Sequence, residues 1–538
     1  MMTNKPVINV LPDKTKVWGN SFNNFSVKVL IPETELIKDI VNFGFEAPYL
    51  LVFDDKDRND IDALEYAKET GLLKVASEYA TSVVFVKPSS GSWKTQKAGL
   101  FEEIISNSKI HQYHKDGYVE LNNRFTHTIE GYAIRGAIFR TFVFANGEAA
   151  DYVAENLLKT VNGDGLWGPA DVTVTSVLLE GLSVIPKFER KDIPVVSLNN
   201  SKEALEAIKN GTESFFELDC KDFYKAVKSF MINNKRWVGK LETEPDFDRL
   251  GMVEEYSYAT VKTSKDNSGD DKGSDKHDIG YIAFYNKDLF KNGPAPLLLC
   301  FHGGGDSAMY ISHVSEWWRV AKDHNFLLVC IENHLNSTAS EMIELLSELK
   351  KKYNIDSTKV YGSGFSMGGC KSWDLYQEYP EVFAGLAPMD ATFEVGLNVF
   401  GENAPKEINN SVLVPIFYVG GEITPLPELP FQAQKCVDRV KYVFDINKVV
   451  KKYDVKLEDK DTWENKIWGI CGDEAEKIYD PSRDSYLNLE KFVSEDGNVY
   501  TVLGSVSDQG HECRHHSCDN AWKFLSKFSR VEGKIVID

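Results

Sequence analysis

Ser366 stands in the pentapeptide Gly364-Phe365-Ser366-Met367-Gly368, and a serine framed by glycines at that spacing suits nucleophilic chemistry. Where a strand turns straight into a helix around such a serine, its backbone is forced to strained angles, and the glycines let the chain close without a Cβ clash. The hydroxyl then stands over a helix N-terminus, whose dipole favours developing negative charge. A strand-like run precedes the pentapeptide and a helix-like run, 371–379, follows it. Two more stretches complete a reactive set. His302-Gly303-Gly304-Gly305 directly follows an apolar run, 296–301, and so offers backbone N–H groups at a strand end. His511 follows Gly510 in the loop between an apolar run, 499–503, and a helix-like segment, 519–529, carrying Trp522, Phe524, Leu525 and Phe528. A histidine there can take a serine proton. His515 and His516 share the loop, and His511 is preferred because it lies nearest the strand end and follows a glycine.

The elements that must position these groups alternate. An apolar strand, 296–301, is followed by an amphipathic helix, 314–324, a second apolar strand, 326–331, a further helix and the strand that enters the Ser366 turn. Such alternation predicts an α/β fold with a mostly parallel sheet, right-handed crossovers and flanking helices.

The chain from about residue 236 to its end resembles the alpha/beta-hydrolase superfamily, and within it the polyhydroxybutyrate depolymerase and feruloyl esterase-like group. The residues that carry the resemblance are Pro296-Leu297-Leu298-Leu299-Cys300-Phe301-His302-Gly303-Gly304-Gly305, Gly364-Phe365-Ser366-Met367-Gly368-Gly369 and Gly510-His511 before the Trp/Phe-rich terminal helix. It implies a serine hydrolase that cleaves a carboxylic ester through an acyl-enzyme, with Ser366 as nucleophile and His511 as general base. Backbone N–H groups of Met367 and of Gly303 or Gly304 are then the oxyanion hole, and no cofactor or metal is called for. His302 is expected to brace the turn rather than act as a second base. The sequence departs from the group at the third triad member. After the strand 414–419 the group usually has Gly-x-x-Asp, whereas this chain reads Gly421-Glu422-Ile423-Thr424-Pro425, with Thr424 where the aspartate would fall. Glu422, just past the strand and one methylene longer than an aspartate, is the expected acid, with Glu428 and Asp445 behind it. An insertion, 431–489, is expected to cap the site, with Phe431, Trp463 and Trp468 as candidate substrate contacts or, equally in character, the core of a small helical cap. A peptidase or acyltransferase on the same triad and a non-catalytic binding or scaffold protein are the competing readings.

At 538 residues the chain fits two domains, placed at 1–235 and 236–538. A net charge of −20 without a basic stripe argues against nucleic acid or an anionic membrane as partner. No run approaches the ~18 apolar residues of a membrane span, and the expected location is cytoplasmic, the expected partner a small or oligomeric ester and the state open to homo-oligomers. The eight cysteines are scattered, which suits free thiols. His511-Glu512-Cys513-Arg514-His515-His516-Ser517-Cys518 holds several potential zinc ligands, but its spacing matches no closed structural site.

The first half carries an ordered set of matches to the second. Residues 47–55 fall on 295–303, 67–71 on 321–325, 142–150 on 361–369, 193–198 on 414–419, and the segment from Asp222 on that from Asp519. In this alignment Gly147 replaces the nucleophile, Asp54-Asp55 replace His302-Gly303, and no histidine precedes the Asp222 segment. The expectation is two tandem alpha/beta-hydrolase-like domains, the first without chemistry. Residues 263–276, polar and rich in Gly, Ser and Asp, are expected to be a mobile hairpin loop.

Overall fold

The computed structural model describes residues 9–33, 47–79, 81–108, 111–114, 117–120, 136–159, 174–237, 240–243, 245–264, 275–304, 306–332, 334–404 and 407–537. Most of the expected 263–276 loop lies outside them. The chain forms two compact units that meet at Pro245/Asp246, a little beyond the expected join at 235/236.

The first unit contains β1 (Asn9–Val10), β2 (Lys16–Ser21), β3 (Phe25–Ile31), β4 (Ala47–Phe53), β5 (Val83–Pro88), β6 (Gly136–Asn146), α1 (Gly147–Leu157), β7 (Val174–Glu180), β8 (Val195–Leu198) and β9 (Phe215–Leu218). Among the described residues its sheet runs β1-β2-β3-β5-β4-β6-β7-β8-β9. From β5 to β9 every neighbour is parallel, and β2 and β3 are antiparallel additions at one edge.

The second unit contains β10 (Met252–Lys262), β11 (Lys276–Asn286), β12 (Ala295–Phe301), β13 (Leu327–Ile331), β14 (Ile355–Phe365), α2 (Met367–Glu378), β15 (Gly385–Met389), β16 (Ile416–Gly421), α3 (Gln434–Ile446), β17 (Glu474–Asp480), β18 (Ser485–Val493), β19 (Val499–Val506) and α4 (His515–Leu525). Its sheet runs β10-β11-β13-β12-β14-β15-β16-β19-β18-β17, parallel from β13 to β19. The central strands are apolar without alternation because helices cover both faces: β13 and β15 are buried throughout, and β12 at every position but Pro296.

The two sheets share one plan. The order β2-β3-β5-β4-β6-β7-β8-β9 repeats strand for strand as β10-β11-β13-β12-β14-β15-β16-β19, with the same antiparallel and parallel partners. Even an irregularity recurs. The β4/β6 register jumps between Ala47↔Gly136 and Tyr49↔Thr141, and the β12/β14 register between Ala295↔Ile355 and Leu297↔Val360. The chain is therefore two tandem alpha/beta-hydrolase-like folds with mostly parallel sheets.

The 431–489 segment is not the expected cap. α3 buries Val437, Val440, Val443 and Phe444 in the core of the second unit, and β17 with β18 extends the sheet antiparallel beyond β19. The reason is visible in β18, where Ser485, Leu487 and Leu489 turn inward and the residues between them turn outward, the period of a half-buried strand rather than of a helix.

Candidate active site

β14 delivers Phe365, the chain turns at Ser366, and α2 starts at Met367. Ser366 has φ 54° and ψ −121°, a conformation that a non-glycine residue holds only where its surroundings impose it. Two contacts impose it here: the Ser366 N–H donates to Met389 O at 3.0 Å, and the Ser366 carbonyl accepts from Cys370 N–H at 3.0 Å. The flanking glycines are required by packing. A Cβ at Gly364 would collide with the Gly368 carbonyl, and one at Gly368 with the Phe301 carbonyl. The end of β12 and the first turn of α2 thus approach backbone to backbone.

That approach brings the glycine turn to the serine. Gly303 lies against the Phe365 ring, a Cβ there falling 3.2 Å from the ring edge. His302 is fully buried. Its Nδ1 lies 2.7 Å from Gly303 O and its Nε2 2.7 Å from Glu332 O, so both nitrogens face carbonyl oxygens and the ring braces the turn. Asp306 N–H also donates to Gly303 O, at 3.2 Å. Because the peptide is trans, a Gly303 carbonyl held toward His302 turns the Gly304 N–H the opposite way. Gly305 lies outside the described residues.

His511 reaches the elbow from the other side. Its ring packs on Phe365 with centroids 4.7 Å apart, and its Nδ1 is in contact with Glu428 Oε1. The expectation of Glu422 as the partner acid is corrected: the carboxylate that meets His511 is Glu428. Glu422 N–H still pairs with Val506 O, continuing the β16/β19 ladder, so its carboxylate turns instead to Asn488 Nδ2 (3.0 Å) and Ser505 Oγ (2.7 Å). The following loop folds back and is pinned at Glu428. Gln432 Oε1 accepts the N–H groups of Glu428 (3.0 Å) and Leu429 (2.9 Å), and Gln432 Nε2 donates to Thr424 O at 2.9 Å. The Glu428 carbonyl accepts from the hydroxyls of Thr392 and Tyr418.

The electrostatics follow from burial. Glu428 is 3% exposed; desolvation pushes its carboxyl up to about 8, against hydrogen bonds to Asp390 and Thr424 and the charge of Lys435. Burial lowers His511 below its ordinary value, opposed by Asp390, so the imidazole is neutral and able to accept a proton near neutral pH. Asp390, just after β15, is raised well above the usual carboxylate range, first by burial and then by Glu428. Sequence reasoning gave Asp390 no part; the signal would have been an aspartate at a strand end beside the elbow strand.

His515 and His516 begin α4. Cys513 and Cys518 are buried with sulfurs 3.6 Å apart. Trp463 and Trp468 are corrected from substrate contacts to core residues: both are buried in the apolar cluster of the second unit. Trp463 Nε1 donates to Lys456 O at 3.0 Å, and the Trp468 ring lies 5.4 Å from that of Tyr418. Phe431 is half-buried against the same cluster. Among the described residues no group of three or more His, Cys, Asp and Glu could hold a metal ion, and no helix is long and apolar enough to cross a membrane.

In the first unit the place of Ser366 is taken by Gly147, with φ 52°, the first residue of α1 directly after β6. A Cβ there would collide with the Asp55 carboxylate, and Asp55 N–H donates to Asn146 Oδ1 at 3.0 Å. Asp54, beside it, is buried and paired with Arg58.

The sheet order, the strand-to-helix turn at Ser366 and the histidine loop after β19 give the second unit an alpha/beta-hydrolase-like fold. No family model matches the chain. It is similar to the bifunctional acetylxylan esterase/xylanase XynS20E of Neocallimastix patriciarum, with 29% identity over 136 residues, covering 24% of this chain and 19% of that protein. It is also similar to the poly(3-hydroxyalkanoate) depolymerase C of Paucimonas lemoignei, with 24% identity over 129 residues, 19% of this chain and 31% of that protein. The chain thus spans less than a third of the length of either relative. Among solved structures, the acetyl xylan esterase from Aspergillus awamori matches with a TM-score of 0.33 at 12% identity, covering 50% of this chain and 99% of that one.

Proposed function

We propose that the chain is a serine hydrolase that cleaves a carboxylic ester, with Ser366, His511 and Glu428 as its triad. The observation that carries this reading is the strained Ser366 at the β14/α2 turn, with the His511 ring on the adjacent Phe365 and the Glu428 carboxylate behind that ring. His511 Nε2 takes the hydroxyl proton as Ser366 Oγ attacks the ester carbonyl. Glu428 holds Nδ1–H and so fixes the tautomer whose Nε2 carries the accepting lone pair. The tetrahedral oxyanion is received by Met367 N–H at the start of α2 and by Gly304 N–H, the donor that the His302-held Gly303 carbonyl turns away from the brace. His511 then returns the proton to the leaving alcohol, and water, activated by the same imidazole, releases the acid. Each oxyanion donor contributes about 3–4 kcal/mol selectively in the transition state. Similarity to an acetylxylan esterase and to a polyester depolymerase favours ester over amide substrates. It also points to esters borne on polymers or their fragments.

The first unit, on this reading, is a hydrolase-like domain without the reaction, because Gly147 supplies no nucleophile at the turn where the second unit has Ser366. The test is fluorophosphonate labelling together with a p-nitrophenyl ester series. Ser366→Ala abolishes labelling and lowers ester turnover by about 10⁴-fold or more. Ester turnover by that variant within tenfold of the parent rejects the reading.

A further inference from the structure

His511 is carried by the connection between β19 and α4, so its reach to Ser366 depends on how that connection is closed. Gln509 closes it. The residue is 2% exposed, and its Nε2 donates to Glu512 O at 2.9 Å and to Asp390 Oδ2 at 3.2 Å. Because a peptide carbonyl can only accept, the atom facing Glu512 O is the amide nitrogen, and its two hydrogens serve the two acceptors. The first bond spans His511, from two residues before it to one after it. The second ties the connection to Asp390, whose N–H donates to Val419 O at 2.9 Å and whose Oδ1 accepts Gly421 N–H at 2.7 Å. The Gln509 carbonyl accepts Ile423 N–H at 3.0 Å, and a Cβ at Gly421 would collide with the Gln509 and Gly510 carbonyls. Asp390 directly follows Met389, whose carbonyl holds the Ser366 N–H. A run of bonds thus leads from the nucleophile's turn, through the end of β15, to the base.

We propose, resting on the serine-hydrolase reading, that Gln509 is a positioning residue: its forked amide holds the His511 backbone where the ring meets Phe365 and Glu428 and its Nε2 serves Ser366. The connection needs such a pin. Asp508 sits at a left-handed φ of 56° and Gly510 has no side chain to hold its place, so the backbone next to His511 has little rigidity of its own. The Gln509 amide is out of water, so its two bonds are not exchanged for bonds to solvent. Proton transfer is sensitive to this placement, since a shift of about 1 Å in a reacting group costs about 10²-fold in rate. Arg514 Nη2 also donates to Glu512 Oε1, at 2.6 Å. That bond closes the stretch on itself, whereas Gln509 fastens it to the strand beside the nucleophile.

Gln509→Met separates this role from packing, because methionine keeps the length and volume of the side chain and removes its donors. On a p-nitrophenyl ester the variant should lose about 10–100-fold in kcat per folded molecule with KM within about twofold of the parent. A residue that only filled space would leave kcat unchanged. Hydrogen exchange should quicken in 507–513 and 420–424, the two stretches that the Gln509 bonds hold together, whether or not an ester is turned over. A Gln509→Met kcat within threefold of the parent, a loss that falls on KM instead, or exchange in those stretches equal to the parent's overturns the proposal. Should Gln509→Met not fold, Gln509→Glu takes its place with the same expectations, since it keeps the shape and sets an oxygen where the donor was. Fluorophosphonate labelling of the parent, run alongside, tests the serine-hydrolase reading by itself. A parent that does not label rejects that reading, and the exchange result still decides whether Gln509 holds the histidine connection.

Discussion

Replacing Glu428 by glutamine should damage catalysis and strengthen the fold, and the second effect should depend on pH in a definite direction. A glutamate in water titrates near 4.5, and burial carries Glu428 to about 8. Between those values the folded chain holds a proton that the unfolded chain has released, so stability falls as pH rises. The loss is absent below about pH 4.5, grows through the interval and is complete above about 8. At about 1.4 kcal/mol per pH unit, a rise from 4.5 to about 8 amounts to a penalty of about 5 kcal/mol. Relaxation and water penetration around the buried carboxylate reduce it to a few kcal/mol. Glutamine carries no such penalty and can still accept from His511 Nδ1–H through its amide oxygen. Urea unfolding of parent and Glu428→Gln at about pH 5 and about pH 9 should show similar stability at the lower pH and a variant more stable by ~2–5 kcal/mol at the higher. Turnover should fall by about 10³-fold or more in the variant. In the parent, kcat should climb until about pH 8, because the acid that must ionise is Glu428, while His511 is already neutral. A stability gap independent of pH would refute the reasoning.

Glu422→Gln should leave turnover within about twofold of the parent, since Glu422 bonds Asn488 and Ser505 rather than His511; a loss beyond tenfold would restore it as the acid. Trp468→Ala should cost about 3–5 kcal/mol of stability through the cavity it leaves in the core, with KM unchanged in the protein that remains folded. Glu341, buried against His277 at 3.1 Å, is desolvated, but hydrogen bonds to His277, Thr263 and the Thr338 backbone lower it below its ordinary value on balance. Its contribution is therefore present above the unfolded value and lost as pH falls through the folded one. Thermal unfolding of Glu341→Gln should accordingly show a smaller drop in Tm than the parent between about pH 6 and pH 3.

Much of the fold could be read from the chain because its central strands are unbroken apolar runs that end in turns whose glycines have no substitute. β12 running into His302-Gly303 and β14 running into Gly364-Phe365-Ser366 fix the crossovers and the site together. The matches between halves were legible for the same reason, since burial keeps strands apolar whatever the loops become. What was not legible lies in loop closure. The acid expected at Glu422 is decided by whether the chain leaves the ladder at residue 422 or later, and that depends on Gln432 reaching back to Glu428, Leu429 and Thr424, contacts with no periodic signature. Asp390 was passed over because its left-handed backbone is a property of the packed state. The tryptophans of 431–489 were misplaced because aromatic content alone does not separate a pocket wall from a core. The alternation in β18 would have marked that segment as sheet.

The contrast between Gly147 and Ser366 also bears on how each turn is held. The Asp55 carboxylate that a Cβ at 147 would meet is the end of an exposed side chain and can swing into solvent, so what favours glycine there is the backbone at φ 52°. In the second unit the same sign of φ falls on a serine, and the bonds from Ser366 N–H to Met389 O and from Cys370 N–H to Ser366 O supply the hold that glycine does without. One turn is thus kept by residue choice and the other by its neighbours, so loosening β15 or the first turn of α2 should disturb the second unit's turn and leave the first unit's untouched.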